Sequence, residues 1–375
     1  MEVGLRGGNG SSEAMPKLIA AAMRTWIVLA TILSWGAQSA AQPFNDALKR
    51  LAQEAQKEGS LNLSWSQSTL GGLQGAARYQ AAINKAFGIN LKLNFVPGPD
   101  MARIGNQLAT EFQAAQKAHV DIMLGAAAQI APLVARDFFE AVDWRSFLPS
   151  RITADTVELD GRIIRMVTGL SGVTYNSQLA PMKPTKLEDF LGAAWKGKIA
   201  STPYAASFDV LLADDVWGKD KTTKFVTQLS RQITGLIRCG EAERIATGEY
   251  IGLVMDCTGQ DALAWQEKGA PLAQMMPLDA AQLRYYYFAI PKHSPRPNAA
   301  KLFTVFMMTD EGQKLSYELW KTDLHFMPNS RMSKMVGAFT KQGVKFKEVT
   351  VEWWLKHPEI DAGKRDLIKI LTTRN

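Results

Sequence analysis

Hydrophobic positions along the chain recur with two different periods. In 45–57 the apolar residues Leu48, Leu51 and Ala55 are three or four positions apart, as on one face of a helix. In 61–65 apolar and polar residues alternate, as in a strand with one buried face. Over the first third of the chain the pattern predicts helices at 45–57, 73–87 and 100–117 and strands at 61–65, 90–96 and 120–124. This order is typical of a parallel sheet with helices on its faces.

The same order of elements returns in the second half of the chain. There the pattern predicts strands at 198–201, 235–238 and 250–255 and helices at 207–217, 221–232, 241–247 and 259–267. Two extended segments, 165–175 and 284–291, connect this unit with the rest of the chain. We therefore predict an α/β fold with two lobes, each a mixed, mostly parallel sheet flanked by helices, and crossover strands between them.

The first 41 residues have the pattern of an export signal. Lys17 and Arg24 are positive, residues 26–35 are mostly apolar, and Ser39–Ala41 offers small side chains to a signal peptidase. We expect cleavage directly after Ala41 and a periplasmic location. The alternative is an uncleaved anchor, but this apolar run is shorter than the approximately 20 residues that a membrane span needs.

Composition and charge are those of an ordinary globular protein. Of the 375 residues, 46% are hydrophobic and 21% are charged, and the formal net charge is +7. The densest basic clusters, Lys219–Lys224 and Lys341–Lys347, are interrupted by acidic, polar or apolar residues. A nucleic-acid-binding protein usually gathers its basic residues on one patch. We therefore expect no nucleic-acid partner.

Known catalytic and metal-binding motifs are missing from the sequence. The four histidines are far apart, and neither a His-Glu-x-x-His nor a Gly-x-Ser-x-Gly motif occurs. Residues Gly192–Lys198 have the spacing of a phosphate-binding loop. However, Ile199 stands where that loop has Ser or Thr, and the pattern predicts a strand after it instead of a helix. The two cysteines are not in a Cys-x-x-Cys spacing. We expect no enzyme activity, no resident metal and no cofactor.

Polar and aromatic residues instead follow the carboxyl ends of the predicted strands, where open α/β sheets bind ligands. The candidate ligand-binding residues at these ends are Trp65, Ser66, Gln67, Ser68, Gln129, Tyr204, Ser207, Arg238, Asp256, Thr258 and Gln260. Tyr175, Arg284 and Tyr286 on the crossover segments complete the set. Each also has a structural alternative: Trp65 as a core residue, Ser66–Ser68 as a helix cap, and Arg238 as a partner of Glu241.

Four motifs together carry a resemblance to a known family: Gly172–Asn176, Pro184–Phe190, Trp195–Ile199 and Pro297–Phe303. In order and spacing they resemble the family 1 extracellular solute-binding proteins of ABC importers, with most similarity to the ferric-iron-type branch, over residues 45–340. The resemblance implies a two-lobed type II periplasmic binding fold that holds a small solute between its lobes. It also implies delivery of that solute to a cognate permease in the inner membrane.

The resemblance assigns the chain to lobes and suggests how it works. We predict a first lobe of 42–168 plus 291–375, a second lobe of 174–283, and hinge crossovers at 169–173 and 284–290. The protein is expected to be a monomer that closes on its solute by hinge motion. Two alternatives stay open: a sensor that presents its solute to a receptor, and an enzyme on the same scaffold.

One departure from the resembled family concerns the ligand. Iron-binding members carry adjacent tyrosines after the strand that is 251–255 here, whereas this chain has Asp256–Asp261. Phenolate oxygens suit ferric iron better than one carboxylate and a thiol do. The nearby tyrosines Tyr285, Tyr286 and Tyr287 alternate along a strand and cannot all face one site. We therefore favour a small organic anion, bound by Arg238 or Arg284, and keep ferric iron as the alternative.

The two cysteines are predicted to form a disulfide. Disulfides persist in exported proteins. If the strands 235–238 and 251–255 are parallel and adjacent, their carboxyl ends place Cys239 close to Cys257. The bridge would brace the ligand-facing edge of the second lobe, and the alternative is two free thiols.

Overall fold

A computed structural model describes residues 45–98 and 100–373, so the predicted signal peptide 1–41 lies outside the described residues. The helices are α1 Asp46–Glu58, α2 Gly72–Phe87, α3 Met101–Gln113, α4 Ala127–Val134, α5 Phe208–Leu211, α6 Gly218–Ser230, α7 Glu243–Ala246, α8 Gln260–Gln266, α9 Pro297–Met307, α10 Asp310–Trp320, α11 Arg331–Lys341, α12 Val351–Leu355 and α13 Glu359–Thr372. The strands are β1 Ser60–Trp65, β2 Lys92–Pro97, β3 Met123–Ala126, β4 Val157–Glu158, β5 Ile163–Ser171, β6 Val173–Asn176, β7 Ile199–Ser201, β8 Ile233–Leu236, β9 Gly252–Val254, β10 Leu272–Met275, β11 Gln282–Ala289 and β12 Lys347–Val349.

The first elements form for the reasons that their sequence indicates. The side chain of Asn45 accepts a hydrogen bond of 2.8 Å from the backbone N–H of Leu48 and so caps α1. The apolar face of α1 is buried, as the spacing predicted. In β1 the residues Leu61, Leu63 and Trp65 are buried, and the residues between them are partly exposed.

The strands form two groups, which we call the first and second lobes. In the first lobe β1 pairs with β2 in parallel, and β11 pairs with β3, β5 and β12 in a sheet that β4 extends. In the second lobe five strands have the order β10, β6, β9, β7, β8. There β7 is parallel to β8 and β9, whereas β6 is antiparallel to β9 and β10.

The chain passes between these sheets at two places. The first lies at Gly172, where β5 of the first lobe leads directly into β6 of the second. A Cβ atom at Gly172 would lie 2.3 Å from the carbonyl oxygen of Met275, so only glycine fits this close approach. The second lies at 276–281, between β10 and β11. The segment 284–290 that the sequence assigned to a hinge follows this passage, and most of it lies within β11.

Two local predictions were wrong. The helix predicted at 207–217 ends at Leu211, because the carbonyl oxygen of Leu211 accepts a hydrogen bond from the hydroxyl of Thr222 at 2.7 Å. The strands β8 and β9 are not adjacent, because β7 lies between them and pairs with both. A short strand of three residues carries too little periodicity for its place in a sheet to be inferred.

Aromatic side chains fill the core of the first lobe. Trp65, which is 2% exposed, stacks on Phe288 with ring centroids 5.4 Å apart and also contacts Phe95 and Phe303. These rings come from β1, β2, β11 and α9, so one cluster joins four elements. Within the described residues, no helix is long and apolar enough to cross a bilayer.

The last helix packs against the second lobe. Gly363 of α13 lies against Leu212, where a Cβ atom would come within 2.9 Å of the leucine side chain. Next to it, Lys364 pairs with the buried Asp209 at 2.7 Å. Burial alone would raise the pKa of Asp209, but Lys364 and Arg284 hold this pKa below its ordinary value. The predicted boundaries of the lobes, which gave all of 291–375 to the first one, remain a prediction.

The Asp209–Lys364 pair yields a stability prediction. We expect Lys364→Ala to lower the free energy of unfolding by about 3 kcal/mol, because it leaves the buried carboxylate of Asp209 without a counter-charge. In wild type the pair stabilises the fold above about pH 4 and is lost as the pH falls further, since the pKa of Asp209 is lowered. Urea unfolding followed by circular dichroism measures this. The matched control is Lys356→Ala, which breaks the exposed pair with Glu352 and should change little.

Candidate functional site

A hydrogen-bonded network joins β11 to the loop that follows β7. Arg284 donates to the hydroxyl of Ser207 at 3.0 Å, and this hydroxyl donates to the carbonyl oxygen of Asp256 at 3.3 Å. The side-chain amide of Gln282 donates to the carbonyl oxygen of Ser207 at 2.7 Å. The structure thus brings together three candidates that are far apart in the sequence: Ser207, Asp256 and Arg284.

Asp256 is a buried carboxylate held by neutral donors. Its side chain accepts hydrogen bonds from the hydroxyl of Thr174 and from the backbone N–H of Cys257, each at 2.6 Å. Burial raises the pKa of Asp256, and these two hydrogen bonds only partly offset the rise. Within the described residues Asp256 forms no ion pair, so only neutral donors hold its carboxyl group.

Tyr286 shares this location with Arg284. Its ring contacts the ring of Trp320 at a centroid distance of 4.9 Å, and the nearby Thr258 side chain lowers the pKa of its hydroxyl. Burial raises the pKa of Tyr286, the charge of Arg284 opposes the rise, and Asp261 and Asp256 add to it. The Tyr286 hydroxyl therefore lies near a cation and two carboxylates.

The other two tyrosines of β11 face away from this site. The hydroxyl of Tyr285 donates to Glu348 and that of Tyr287 donates to Glu158, both at 2.8 Å. The predicted alternation of the three tyrosines is thereby confirmed. It places Tyr286 alone among them beside Arg284.

The loop of Thr258 approaches the first crossover closely. A Cβ atom on Gly169 of β5 would lie 2.5 Å from the methyl group of Thr258, and the N–H of Leu170 donates to the Thr258 carbonyl at 3.3 Å. Gly169 also pairs with Arg284 across the sheet. The loop after β9 therefore packs directly on the strands that connect the lobes.

The backbone around the site has an unusual conformation. Ala205, Ser207 and Met255 have φ angles of 50°, 67° and 59°, in the left-handed region that L-residues rarely adopt. All three lie directly before or within the loops that carry Ser207 and Asp256. Such backbone strain is concentrated at ligand-binding sites in proteins.

The predicted disulfide between Cys239 and Cys257 is confirmed, with Cα atoms 5.9 Å apart. The two residues meet although β7 separates their strands, because both lie in loops beyond the strand ends. The hydroxyl of Tyr204 accepts a hydrogen bond from the N–H of Cys239 at 2.7 Å and lies 3.1 Å from its sulfur. The bridge fixes the candidate Tyr204 and the loop of Asp256 relative to each other.

The remaining candidates do not join the network of Arg284. Trp65 lies in the core, and Tyr175 is buried within β6. The side chain of Gln129 accepts a hydrogen bond from the N–H of Ala126 at the start of α4. Arg238 is exposed, and its backbone N–H donates to Glu241. In the turn before α2, Ser66 is half-buried, whereas Gln67 and Ser68 are exposed.

The structure adds two residues that sequence reasoning did not select. Trp320 contacts Tyr286 from the end of α10, and no local pattern marks it. Asp261 lies near Asp256, and burial together with Asp256 and Glu243 raises its pKa to about 6. In the sequence, the feature that could have indicated Asp261 is a second carboxylate five positions after Asp256. Beside Trp320, Lys321 pairs with Glu267 of the second lobe at 2.7 Å.

The geometry contains no cluster typical of a metal centre. Among residues 45–98 and 100–373, no three His, Cys, Asp or Glu side chains are arranged to hold an ion. The groups that converge are one guanidinium, hydroxyls, amides, aromatic rings and carboxylates. Such groups suit the recognition of a polar organic molecule.

The disulfide yields a prediction for this site. Intact-mass analysis of the unreduced protein after alkylation should find no free thiol. Replacing both cysteines by serine should lower the free energy of unfolding by about 3 kcal/mol, because the bridge closes a loop with a sequence separation of 18 residues. Chemical denaturation with and without reductant measures the loss. Two labelled thiols in the unreduced protein would contradict the assignment.

Comparison with known proteins identifies the family. Residues 78–337 match the bacterial extracellular solute-binding proteins, whereas no curated protein matches the chain. Among solved structures, iron-bound HitA from Pseudomonas aeruginosa is 14% identical with a TM-score of 0.64, over 82% of this chain and 99% of that one. MotA from A. tumefaciens B6, in complex with glucopine, is 18% identical with a TM-score of 0.62, over 83% of this chain and 99% of that one.

A third structure has a similar backbone. The substrate-binding protein of an ABC transporter from Agrobacterium tumefaciens is 14% identical with a TM-score of 0.67, over 83% of this chain and 94% of that one. At such identities the likeness concerns the fold, which is the two-lobed type II periplasmic binding fold. Together with the match over 78–337, it shows that the chain belongs to the bacterial extracellular solute-binding proteins.

Proposed function

We propose that this protein is the periplasmic solute-binding component of an ABC importer and that it holds a small organic anion between its lobes. The observation that carries the choice of ligand is Arg284. This side chain is 9% exposed and forms no ion pair within the described residues. It uses one N–H on Ser207, which leaves most of the five guanidinium donors free for a ligand.

The charge of Arg284 is not neutralised locally. Arg284 also interacts electrostatically with Asp209, but Asp209 already forms an ion pair with Lys364. Arg284 therefore has no ion-pair partner of its own, and an anion bound between the lobes would supply one. The planar fork of arginine suits a carboxylate or phosphate, because it donates two parallel hydrogen bonds.

The surroundings of Arg284 suit an organic rather than an inorganic anion. Tyr286 and Trp320 present aromatic surface beside it, and Thr258 and Gln260 contribute polar groups on the next loop. Apolar walls with a few fixed polar groups are typical of sites for small organic molecules.

The position of Arg284 also couples binding to lobe closure. It lies on β11 of the first lobe and bonds to Ser207 of the second. An anion on Arg284 would therefore be contacted by both lobes. We propose that the protein acts as an exported monomer, that its solute leaves unchanged, and that a permease in the inner membrane receives it.

A thermal-shift screen tests the choice of ligand. The protein is purified after export, unfolded with its disulfide intact to release bound solutes, and refolded. The panel contains aliphatic and aromatic carboxylates, phosphate esters, phosphonates, amines, sugars, and ferric citrate with chelator controls. We expect a carboxylate or phosphate compound to stabilise the protein by about 2.7 kcal/mol at 100 times its Kd.

Two variants show whether Arg284 binds the anion. Arg284→Gln should weaken binding about 10- to 100-fold, since it removes a charge-assisted hydrogen bond, and Arg284→Lys should restore only part of the affinity. Arg50→Gln, at an exposed position of α1, is the control and should bind like wild type. A shift with sugars alone, or with iron alone, would overturn the organic-anion assignment.

A further inference from the structure

We propose that the anion held by Arg284 also carries an ammonium group, which a second subsite around Asp261 binds. The ligand is then a zwitterion with separated charges. This inference rests on the proposed function, because it takes the anion at Arg284 as given. It names the chemical class of the solute and assigns its second charged group to the second lobe.

Asp261 is a partly buried carboxylate without a partner. Within the described residues it accepts no hydrogen bond and forms no ion pair, and the same holds for the neighbouring Glu243. The loop after β8 covers it, since a Cβ atom on Gly240 would lie 3.8 Å from its Oδ2 atom. The first turn of α8 favours a negative charge at this position, but no side chain neutralises the carboxylate, which is partly removed from water.

Asp261 and Arg284 both influence the hydroxyl group of Tyr286. The pKa of the Tyr286 hydroxyl responds to Arg284 in one direction and to Asp261 and Asp256 in the other. Thr258, which lies between Asp256 of the loop after β9 and Asp261 of α8, packs on Gly169, the strand partner of Arg284. The cation and the carboxylates therefore lie in one region, yet within the described residues no ion pair joins them. A molecule with a carboxylate and an ammonium group would neutralise both sides at once.

Gln260 supplies an independent indication of a ligand. Its side chain is 5% exposed, and its amide N–H group is buried without a hydrogen-bond partner, while its oxygen accepts a hydrogen bond from Thr258. Thr258 in turn packs on Gly169, the strand partner of Arg284, so the unpaired donor belongs to the loop and helix start that lie against this part of β5 and β11. Buried donors are nearly always paired in proteins, and an acceptor on the ligand would pair this one.

The aromatic side chains of the site suit an ammonium group as well. The rings of Tyr286 and Trp320 contact each other, Asp261 and Asp256 both affect the pKa of Tyr286, and the faces of aromatic rings attract cations. At neutral pH Asp261 is mostly ionised, since its pKa is raised to about 6 and not higher. The carboxylates that face it, Asp256 and Glu243, add to the negative potential that an ammonium group would meet.

The first experiment needs no ligand. We expect Asp261→Asn to raise the melting temperature of the ligand-free protein at pH 7.5, because it removes an unpaired, partly buried charge. The gain should shrink as the pH is lowered towards 4, where Asp261 is protonated in wild type too. Asp366→Asn, at an exposed position of α13, is the control. A lower melting temperature for Asp261→Asn would show a structural role and overturn the inference.

The second experiment compares matched ligands by titration calorimetry. One set is 4-aminobutyrate, butyrate and butylamine, and the other is phenylalanine, 3-phenylpropionate and phenethylamine. We expect an amino acid to bind at least about tenfold more tightly than the carboxylate without its amine. Asp261→Asn should abolish that preference and change the affinity for the carboxylate less than about threefold.

The outcomes separate the two proposals. Equal affinities for amino acid and carboxylate, or equal losses for both in Asp261→Asn, would overturn the ammonium subsite and leave the anion site of Arg284 intact. Binding of the amines alone, with no effect of Arg284→Gln, would overturn the proposed function itself.

Discussion

The pairing of β11 with its neighbours is the constraint on which the rest of the site depends. This strand is hydrogen-bonded to β5, β3 and β12, so its side chains have two fixed directions. On one face Tyr285 and Tyr287 bond to Glu348 and Glu158, and Arg165 bonds to both carboxylates. This network occupies one face of β11, and Arg284 and Tyr286 lie on the other face, where Arg284 bonds to Ser207 of the second lobe.

The two faces of β11 differ in how their charges are compensated. Arg165 lies 2.7 Å from Glu158 and 2.8 Å from Glu348, and its guanidinium also covers the ring of Tyr285. The charges on the Tyr285 and Tyr287 face of β11 are therefore paired. Arg284 and Asp261 have opposite charges and no ion pair. Buried charges without partners reduce stability, and proteins retain them mainly where function needs them. Paired and unpaired charges thus lie on opposite faces of β11 and on the elements next to it.

Covalent and ionic links fix the second lobe around this face. The disulfide Cys239–Cys257 joins the loops that follow β8 and β9, and Tyr204 bonds to one end of it. On the other side, Lys364 of α13 forms an ion pair with Asp209, which lies in α5 directly after Ser207. The loop of Asp256 and the loop of Ser207 are thus held from two directions. Ligand binding then needs little ordering of these loops, which favours affinity.

The amino-acid sequence determined the local elements, the class of fold and the positions of most strand-end loops. Periods of two and 3.6 residues reflect which side chains must leave water, and this information is local. It was sufficient for β1, α1 and α2 and for the alternation of the three tyrosines, and it selected Arg284, Ser207 and Asp256, which the fold brings together. The four motifs at 172–176, 184–190, 195–199 and 297–303 together indicated the family.

Tertiary structure decided what depends on distant partners. The order of β8, β7 and β9 follows from pairing between segments more than thirty residues apart, and the short β7 carries no signal of its place. Trp65 faces the core rather than the cleft because Phe288 and Phe303 meet it there. Trp320 contacts Tyr286 only because α10 packs beside β11, and Asp261 of α8 comes near Tyr286 through tertiary packing as well. Sequence periodicity records how each segment is buried, whereas partners across the molecule decide which charges stay unpaired and available to a ligand.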